Sequence, residues 1–175
     1  LFALDRGGTE ADAGSLTFVF SLAALFSRLP IGWVMDRRGR RPVVLAGLAL
    51  AGACCLLYRA VGTLQALFAL RPFHGVALGI FTAAATAVIA DVSPASRRAE
   101  GMGYFGLGNN VASALGPALS LAVVARFRFS PLFLMAAAVS IAGLALAAPV
   151  RETGAVVPRG VPVRAQSMFV PRAVF

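Results

Sequence analysis

Two ionisable side chains inside an apolar stretch offer the clearest chemistry in this sequence. Arg71 lies about seven residues inside the apolar run 64–90, and His74 follows three residues later. Residues three apart share one face of a helix, and a charge at that depth costs at least about 2.5 kcal/mol on insertion scales. We therefore expect Arg71 and His74 to face a bundle interior, where they could sense protonation or hold an anionic group. The alternative is an arginine bonded to carbonyls of neighbouring helices, beside a histidine satisfied in the core.

Four other polar residues interrupt apolar stretches and are candidate cavity residues. Arg28 lies eight residues before Asp36 in the same run, so it either snorkels to the membrane surface or faces a cavity. Asn109 and Ser113 share a helix face, and Asn110 adjoins them. Amides in hydrocarbon need partners on another helix or in a water-filled cavity.

Gly116 and Pro117 follow these amides in the same apolar run. Proline cannot donate to the carbonyl four residues earlier, at Ser113, so we predict a bend in the helix here. A bend suits an element that moves.

An arginine cluster occupies the loop GWVMDRRGRRP, residues 32–42, between two apolar stretches. Asp36 stands near the C-terminal end of the first stretch, where the helix macrodipole disfavours an anion by about 0.3 to 1 kcal/mol. We expect the neighbouring arginines to compensate it, namely Arg37, Arg38, Arg40 and Arg41. The simplest interpretation is a solvated loop whose charges only set the membrane topology. Arginines alone are enough for that role, so topology does not explain Asp36.

A second charged loop lies between the third and fourth apolar stretches. Asp91 and Glu100 bracket Arg97 and Arg98 there. The predicted topology brings this loop close to the first one, so we expect ion pairs between the two loops. Exposed pairs are usually worth less than about 1 kcal/mol, so we expect them to select between conformations.

The composition indicates a membrane protein and excludes other classes. Hydrophobic residues make up 59% of the chain and charged residues 13%, and the mean hydropathy is +0.83. The net charge of +9 does not indicate nucleic-acid binding, because the arginines sit at the ends of apolar segments instead of on one basic face. Cys54 and Cys55 are adjacent, a spacing that suits packing and not a metal. We predict no catalytic residue, metal or cofactor, and hence no enzyme.

The apolar runs predict an all-α, polytopic transmembrane helix bundle. About 20 residues cross 30 Å of hydrocarbon, and the chain offers five such runs, near 13–35, 42–58, 64–90, 101–125 and 131–150. Short connections favour antiparallel neighbours. We therefore predict a bundle over residues 1–150, followed by a cytoplasmic linker and the possible start of another helix over residues 151–175.

The arginines predict the orientation of the bundle, because positive charge is retained on the cytoplasmic side. Successive loops between spanning helices lie on alternate sides of the membrane. Counted from the loop at 32–42, the arginines on the cytoplasmic side are Arg37, Arg38, Arg40, Arg41, Arg97, Arg98, Arg151, Arg159, Arg164 and Arg172. The outer set is Arg6, Arg59, Arg126 and Arg128. The apolar stub at residues 1–4 then resembles the tail of a first helix, so we expect a longer parent protein whose remaining helices are partners of this bundle.

Four motifs, in order, resemble the major facilitator superfamily of transporters. The loop at 32–42 resembles the family's loop between the second and third helices, and LRPFHGVALG at 70–79 resembles its fourth-helix signature. DVSPASRRAEG at 91–101 resembles the next charged loop. Gly116 and Pro117 resemble part of the fifth-helix antiporter motif, although Ala112 and Ser120 stand where that motif prefers glycine.

The resemblance implies the N-terminal half of a transporter that works by alternating access. It implies a charge latch that stabilises one conformation, formed by Gly32, Asp36, Arg37, Gly39, Arg40, Arg41, Asp91 and Arg97. It also implies that Arg71 takes part in proton coupling.

The function we predict is proton-coupled efflux of a small molecule, by antiport, across a bacterial inner membrane. The partners are then the substrate, protons and the lipid bilayer. The alternatives are substrate-proton symport and a membrane interaction or scaffold protein that transports nothing.

Overall fold

The structure is a computed structural model that describes residues 1–152. Within that range the elements are six α-helices: α1 (Phe2–Asp5), α2 (Glu10–Arg38), α3 (Arg41–Leu57), α4 (Leu64–Val92), α5 (Arg98–Phe127) and α6 (Phe129–Ala147). Short 3-10 turns follow α3 at Tyr58–Ala60 and precede α5 at Ala95–Arg97. The all-α prediction is confirmed, and each of the five predicted helices ends within about three residues of its expected bounds.

Five of these helices are long and apolar enough to cross a membrane. They are α2 to α6, and α3 reaches the required length together with its 3-10 turn. The stub expected at residues 1–4 forms α1, a single helical turn. The linker predicted over residues 151–175 lies almost entirely outside the described residues.

Local signals explain where α2 ends and α3 begins. Gly39 follows α2 with a φ of 87°, a backbone conformation that other residues adopt only with strain. Pro42 lies in the first turn of α3, where its missing N–H costs no hydrogen bond. The chain therefore reverses direction within a few residues, and the arginine loop becomes a tight turn.

Helix α4 is the centre of the described bundle, packed against α2 on one side and α3 on the other. A Cβ atom on Gly75 or Gly79 would overlap backbone atoms of Phe20 or Ala24 in α2. A Cβ atom on Gly47 of α3 would lie 2.8 Å from the backbone nitrogen of Phe81. Small residues at these crossings let the backbones approach closely, so α2, α3 and α4 form one tightly packed layer.

Helix α5 packs much more loosely than α4, and none of its residues is buried. Four of its glycines, Gly103, Gly106, Gly108 and Gly116, have open space where a Cβ atom would stand. A mostly apolar groove of about 640 Å³ lies between α5 and the three helices α3, α4 and α6. Within residues 1–152, α5 is therefore attached to the bundle mainly along one edge.

Candidate functional site

Arg71 and His74 lie on one face of α4 and meet the hydroxyl of Tyr58. The Tyr58 oxygen is 3.5 Å from Nη1 of Arg71 and 3.3 Å from Nδ1 of His74. The tyrosine belongs to the 3-10 turn after α3, so the contact joins two neighbouring helices. We call these three residues the Tyr58 cluster.

Tyr58 is held rigidly by aromatic neighbours. Its ring stacks on Phe133 of α6 at 5.2 Å between centroids and meets Phe2 of α1 edge-on at 6.5 Å. The residue is only 3% exposed and belongs to a buried apolar cluster with Leu16 and Leu67. The hydroxyl is therefore fixed in place by contacts with α1, α2, α4 and α6.

Arg71 has one hydrogen-bond donor without a partner in the described part of the chain. Its guanidinium lies over the ring of Phe20, 4.9 Å from the centroid, a favourable cation–π arrangement. Its Nε is buried and has no hydrogen-bond partner among residues 1–152. Arg71 also lines a cavity of about 200 Å³ with Thr17 and Tyr58. The arrangement can hold a water molecule or an anionic group beside a fixed positive charge.

The other predicted cavity residues do not join this cluster. Arg28 of α2 lies with Nη2 3.5 Å from Oγ1 of Thr82 in α4, and its side chain is exposed. Asn109, Asn110 and Ser113 are exposed on α5. Their amides and hydroxyl make no hydrogen bond with another described residue.

The two residues of the predicted helix-bend motif line apolar space. Gly116 borders the groove that also contains His74, whereas Pro117 borders a neighbouring cavity together with Phe2. Helix α5 continues through the proline as one element. The predicted bend and its role in motion stay predictions.

The two charged loops meet at one end of the bundle, which we call the basic end. Arg40 forms an ion pair with Asp91 at the end of α4, the kind of cross-loop contact that the sequence predicts. Its Nη1 also donates to the carbonyl of Ala87, at 2.8 Å. One arginine thereby ties the start of α3 to the last turn of α4.

The end of α6 is joined to the same loop by two reciprocal contacts. Arg41 donates to the carbonyl of Ala148 at 2.5 Å, where the α6 dipole is negative. The Glu152 carboxylate accepts from the backbone nitrogens of Arg40 at 2.6 Å and Arg41 at 3.2 Å, where the α3 dipole is positive. Glu152 cannot be predicted from the sequence as a partner of Arg40, because the two residues lie 112 positions apart along the chain.

The loop arginines form no ion pair with Asp36 in the described part of the chain, so their compensation of its charge stays a prediction. Arg37 stacks on the Trp33 ring, 3.8 Å from its centroid, while Arg40 and Arg41 point to the contacts just described. Asp36 is exposed and has no ion pair within the described part of the chain. Arg37 therefore uses an aromatic partner on its own helix, whereas Arg40 and Arg41 use carbonyl partners at the ends of α4 and α6.

The remaining charged residues of the second loop are solvated. Arg97 and Glu100 are exposed and form no ion pair with other residues in the range 1–152. Arg98 donates from Nε to the carbonyl of Ala90 at 3.1 Å. Gly32 has open space around it, whereas Gly39 is buried against the Glu152 carboxylate.

Tyr58 is a functional candidate that the sequence motifs do not indicate. The only signal available was a tyrosine near the end of an apolar run, 13 residues before Arg71. The helical periodicity that pairs Arg71 with His74 does not extend across the turn between α3 and α4. Metal chemistry has no candidate in residues 1–152, where no group of three or more metal-binding side chains occurs.

The helical bundle, the charged residue inside its central helix and the charged loops at one end define a multi-pass membrane protein. The sequence profile of the Major Facilitator Superfamily matches residues 1–174. The chain belongs to this family of transporters.

Two curated relatives and one solved structure illustrate the similarity. The chain is 25% identical to the inner membrane transport protein YajR of Escherichia coli over 81% of this chain and 31% of that protein. It is 27% identical to the quinolone resistance protein NorA of Staphylococcus aureus over 68% of this chain and 31% of that protein.

A crystal structure of the peptide transporter POT in complex with alafosfalin shares the fold. Its TM-score is 0.75 at 22% identity, over 87% of this chain and 34% of that chain. The chain thus spans about a third of the length of the proteins it matches.

Proposed function

We propose that the protein exports a small molecule by alternating access and couples export to inward proton movement at Arg71 and His74. The observation that carries this proposal is the Tyr58 cluster. Arg71 lies about 10 Å from the start of α4, at 1.5 Å per residue, and a charge at that depth in a membrane helix is a functional candidate by default. Its spare Nε donor and the adjacent cavity supply a place where an anionic group or a water molecule can bind.

Two observations favour export as the direction of transport. NorA is named for quinolone resistance, and a resistance transporter is expected to export. Gly116 and Pro117 match part of the antiporter motif. The second candidate is substrate-proton symport. Transport assays in vesicles with opposite proton gradients separate the two, because an antiporter accumulates substrate inside the vesicle when protons flow out, whereas a symporter does so when protons flow in.

The basic end serves in this proposal as a conformational latch on the cytoplasmic side of a bacterial inner membrane. Its support is the ion pair of Arg40 with Asp91 and the position of Asp36. Asp36 stands at the negative end of a helix dipole and forms no ion pair with residues 1–152, so we infer that it pairs in another part of the transport cycle or with another part of the protein.

Replacement of Arg71 tests the coupling proposal. We expect Arg71→Ala in the full-length protein to lower active transport by about tenfold or more, since hydrogen bonds to a charged group are worth about 1.5–3 kcal/mol each. Arg71→Lys should restore only part of the rate, because an ammonium group lacks the planar fork of the guanidinium. The measurement is substrate flux in proteoliposomes with an imposed proton gradient, normalised to the protein reconstituted.

Arg126→Ala is the matched control, because Arg126 is exposed near the end of α5 and should transport at the parental rate. Parental transport by Arg71→Ala would reassign Arg71 to a structural role. If the parental protein moved no substrate in either direction, the scaffold alternative would take the place of the transporter proposal.

A further inference from the structure

We propose that Tyr58 is a positioning residue that fixes the tautomer of His74 and the orientation of Arg71. This inference rests on the proposed role of Arg71 and His74 in proton coupling and adds a third residue to it. Tyr58 lies outside the family motifs recognised in the sequence. Its place between the two ionisable groups comes from the geometry alone.

The donor and acceptor roles in the cluster follow from the side-chain chemistry. A guanidinium can only donate, so the Tyr58 oxygen accepts at its contact with Nη1 of Arg71. The hydroxyl hydrogen then needs an acceptor of its own. The other partner within reach is Nδ1 of His74, at 3.3 Å, and it can accept only if it carries no proton.

The opposite arrangement leaves a buried group unsatisfied. If Nδ1 of His74 carried the proton, Tyr58 would accept from both neighbours and its own hydrogen would have no partner among the described residues. Tyr58 is 3% exposed, and an unmade hydrogen bond is costly at a buried site. Neutral His74 should therefore carry its proton on Nε2.

The surroundings of His74 support this assignment. The charged group beside it is Arg71 on its own helix, and Phe20 of α2 meets its ring edge-on at 5.5 Å between centroids. From α3, Cys55 lines the same groove as His74, and from α5 and α6 the hydroxyl-bearing residues Ser120 and Ser140 do so. Among residues 1–152, Nδ1 of His74 makes its hydrogen bond with the Tyr58 hydroxyl and not with these neighbours, so Tyr58 is the group that orients it.

Protonation of His74 changes both contacts of the Tyr58 hydroxyl, the one with His74 and the one with Arg71. When His74 becomes doubly protonated, Nδ1 turns from acceptor to donor, and the Tyr58 hydroxyl must rotate its hydrogen away. The Tyr58 oxygen then accepts from both cations. Protonation of His74 thereby alters the hydrogen bond that holds Arg71, without any movement of the aromatic ring.

The test compares Tyr58→Phe with Tyr104→Phe, which alters the second of the chain's two tyrosines. Phenylalanine keeps the ring that stacks on Phe133 and removes only the hydroxyl. Tyr104 is 68% exposed on α5, so its replacement controls for the loss of a tyrosine hydroxyl elsewhere. The full-length protein is labelled with ¹⁵N-histidine in lipid nanodiscs, and the His74 signals are assigned by their loss in His74→Gln.

At a pH where the ring is neutral, we expect the parental His74 to show an unprotonated Nδ1 and a protonated Nε2. Tyr58→Phe should shift both signals towards the average of the two tautomers, and Tyr104→Phe should leave them unchanged. A parental spectrum with the proton on Nδ1 would overturn the proposal without the need for any variant. An unchanged tautomer in a folded Tyr58→Phe protein would overturn it as well.

Transport separates this inference from the function on which it rests. We expect Tyr58→Phe to lower the maximal rate about tenfold, which corresponds to about 1.4 kcal/mol, with little change in the substrate concentration at half-maximal rate. A lost tautomer preference with parental transport by both Tyr58→Phe and His74→Gln would overturn the coupling role and leave the positioning role standing. The reverse combination, an unchanged tautomer with His74→Gln inactive, would overturn only the positioning role.

Discussion

Asp91 joins the two charged loops through its ion pair with Arg40, and this contact ties the start of α3 to the end of α4. Both side chains are about a quarter exposed, so the net free energy of the pair is modest. A contact made in one conformation and broken in the other can still shift a balance between states, because 1 to 3 kcal/mol changes a ratio by roughly 5- to 150-fold.

We therefore expect Asp91→Asn to shift the ratio of inward-open to outward-open protein by about fivefold, the lower end of that range. The ratio can be measured from the accessibility of a cavity cysteine to reagents on each side of the membrane. Glu100→Gln is the matched control, because Glu100 lies nearby and forms no ion pair within residues 1–152. If Arg40→Gln and Asp91→Asn had fully additive effects on the ratio, the pair would carry no conformational energy.

At the scale of helices, packing depends on glycines at the crossings of α4. The Cβ atom that Gly79→Ala adds would overlap the carbonyl oxygen of Ala24 and the hydroxyl of Ser27. We expect this variant to destabilise the protein by about 1–3 kcal/mol, the usual cost of overpacking. Thermal unfolding in detergent should show the lowered midpoint.

Gly103→Ala makes the same chemical change on α5, where a Cβ atom has open space. Alanine favours a helix over glycine by up to about 1 kcal/mol, so this control should be neutral or slightly stabilising. Equal melting temperatures for the two variants would contradict the close packing of α2 on α4.

The sequence predicted the helices well because each is an apolar run bounded by charge, glycine or proline. It also placed Arg71 and His74 on one face, since that follows from helical periodicity alone. Tyr58 and Glu152 were beyond its reach, because each reaches its partners across a turn or across most of the chain. The partner of Arg41 was beyond reach for the same reason, because Arg41 caps the distant end of α6. The stacking of Arg37 on Trp33 is different, since the two residues are four apart on one helix and helical spacing alone places them on one face.

At the scale of the whole molecule, the arginine distribution predicts which end of the bundle faces the cytoplasm. Single cysteines at Arg38 and Ser96 should react with a membrane-impermeant thiol reagent only from the cytoplasmic side. Cysteines at Glu10 and Gly62 should react from outside, and all four positions are exposed. Cys54 and Cys55 are buried and can be replaced by alanine to remove background. Labelling of position 38 from outside in intact cells would reverse the proposed orientation.

The close packing of α4 against α2 and α3 has a consequence for timing. Arg71 and Asp91 are 20 residues apart on this helix, about 30 Å at 1.5 Å per residue. Arg71 lies towards the start of the helix and Asp91 lies at its end. A helix wedged between two neighbours at glycine crossings acts as a stiff rod, so displacement at one end reaches the other without delay. Proton arrival at His74 and rupture of the Arg40 contact with Asp91 should then occur in a single kinetic phase, with one shared rate constant instead of two successive ones.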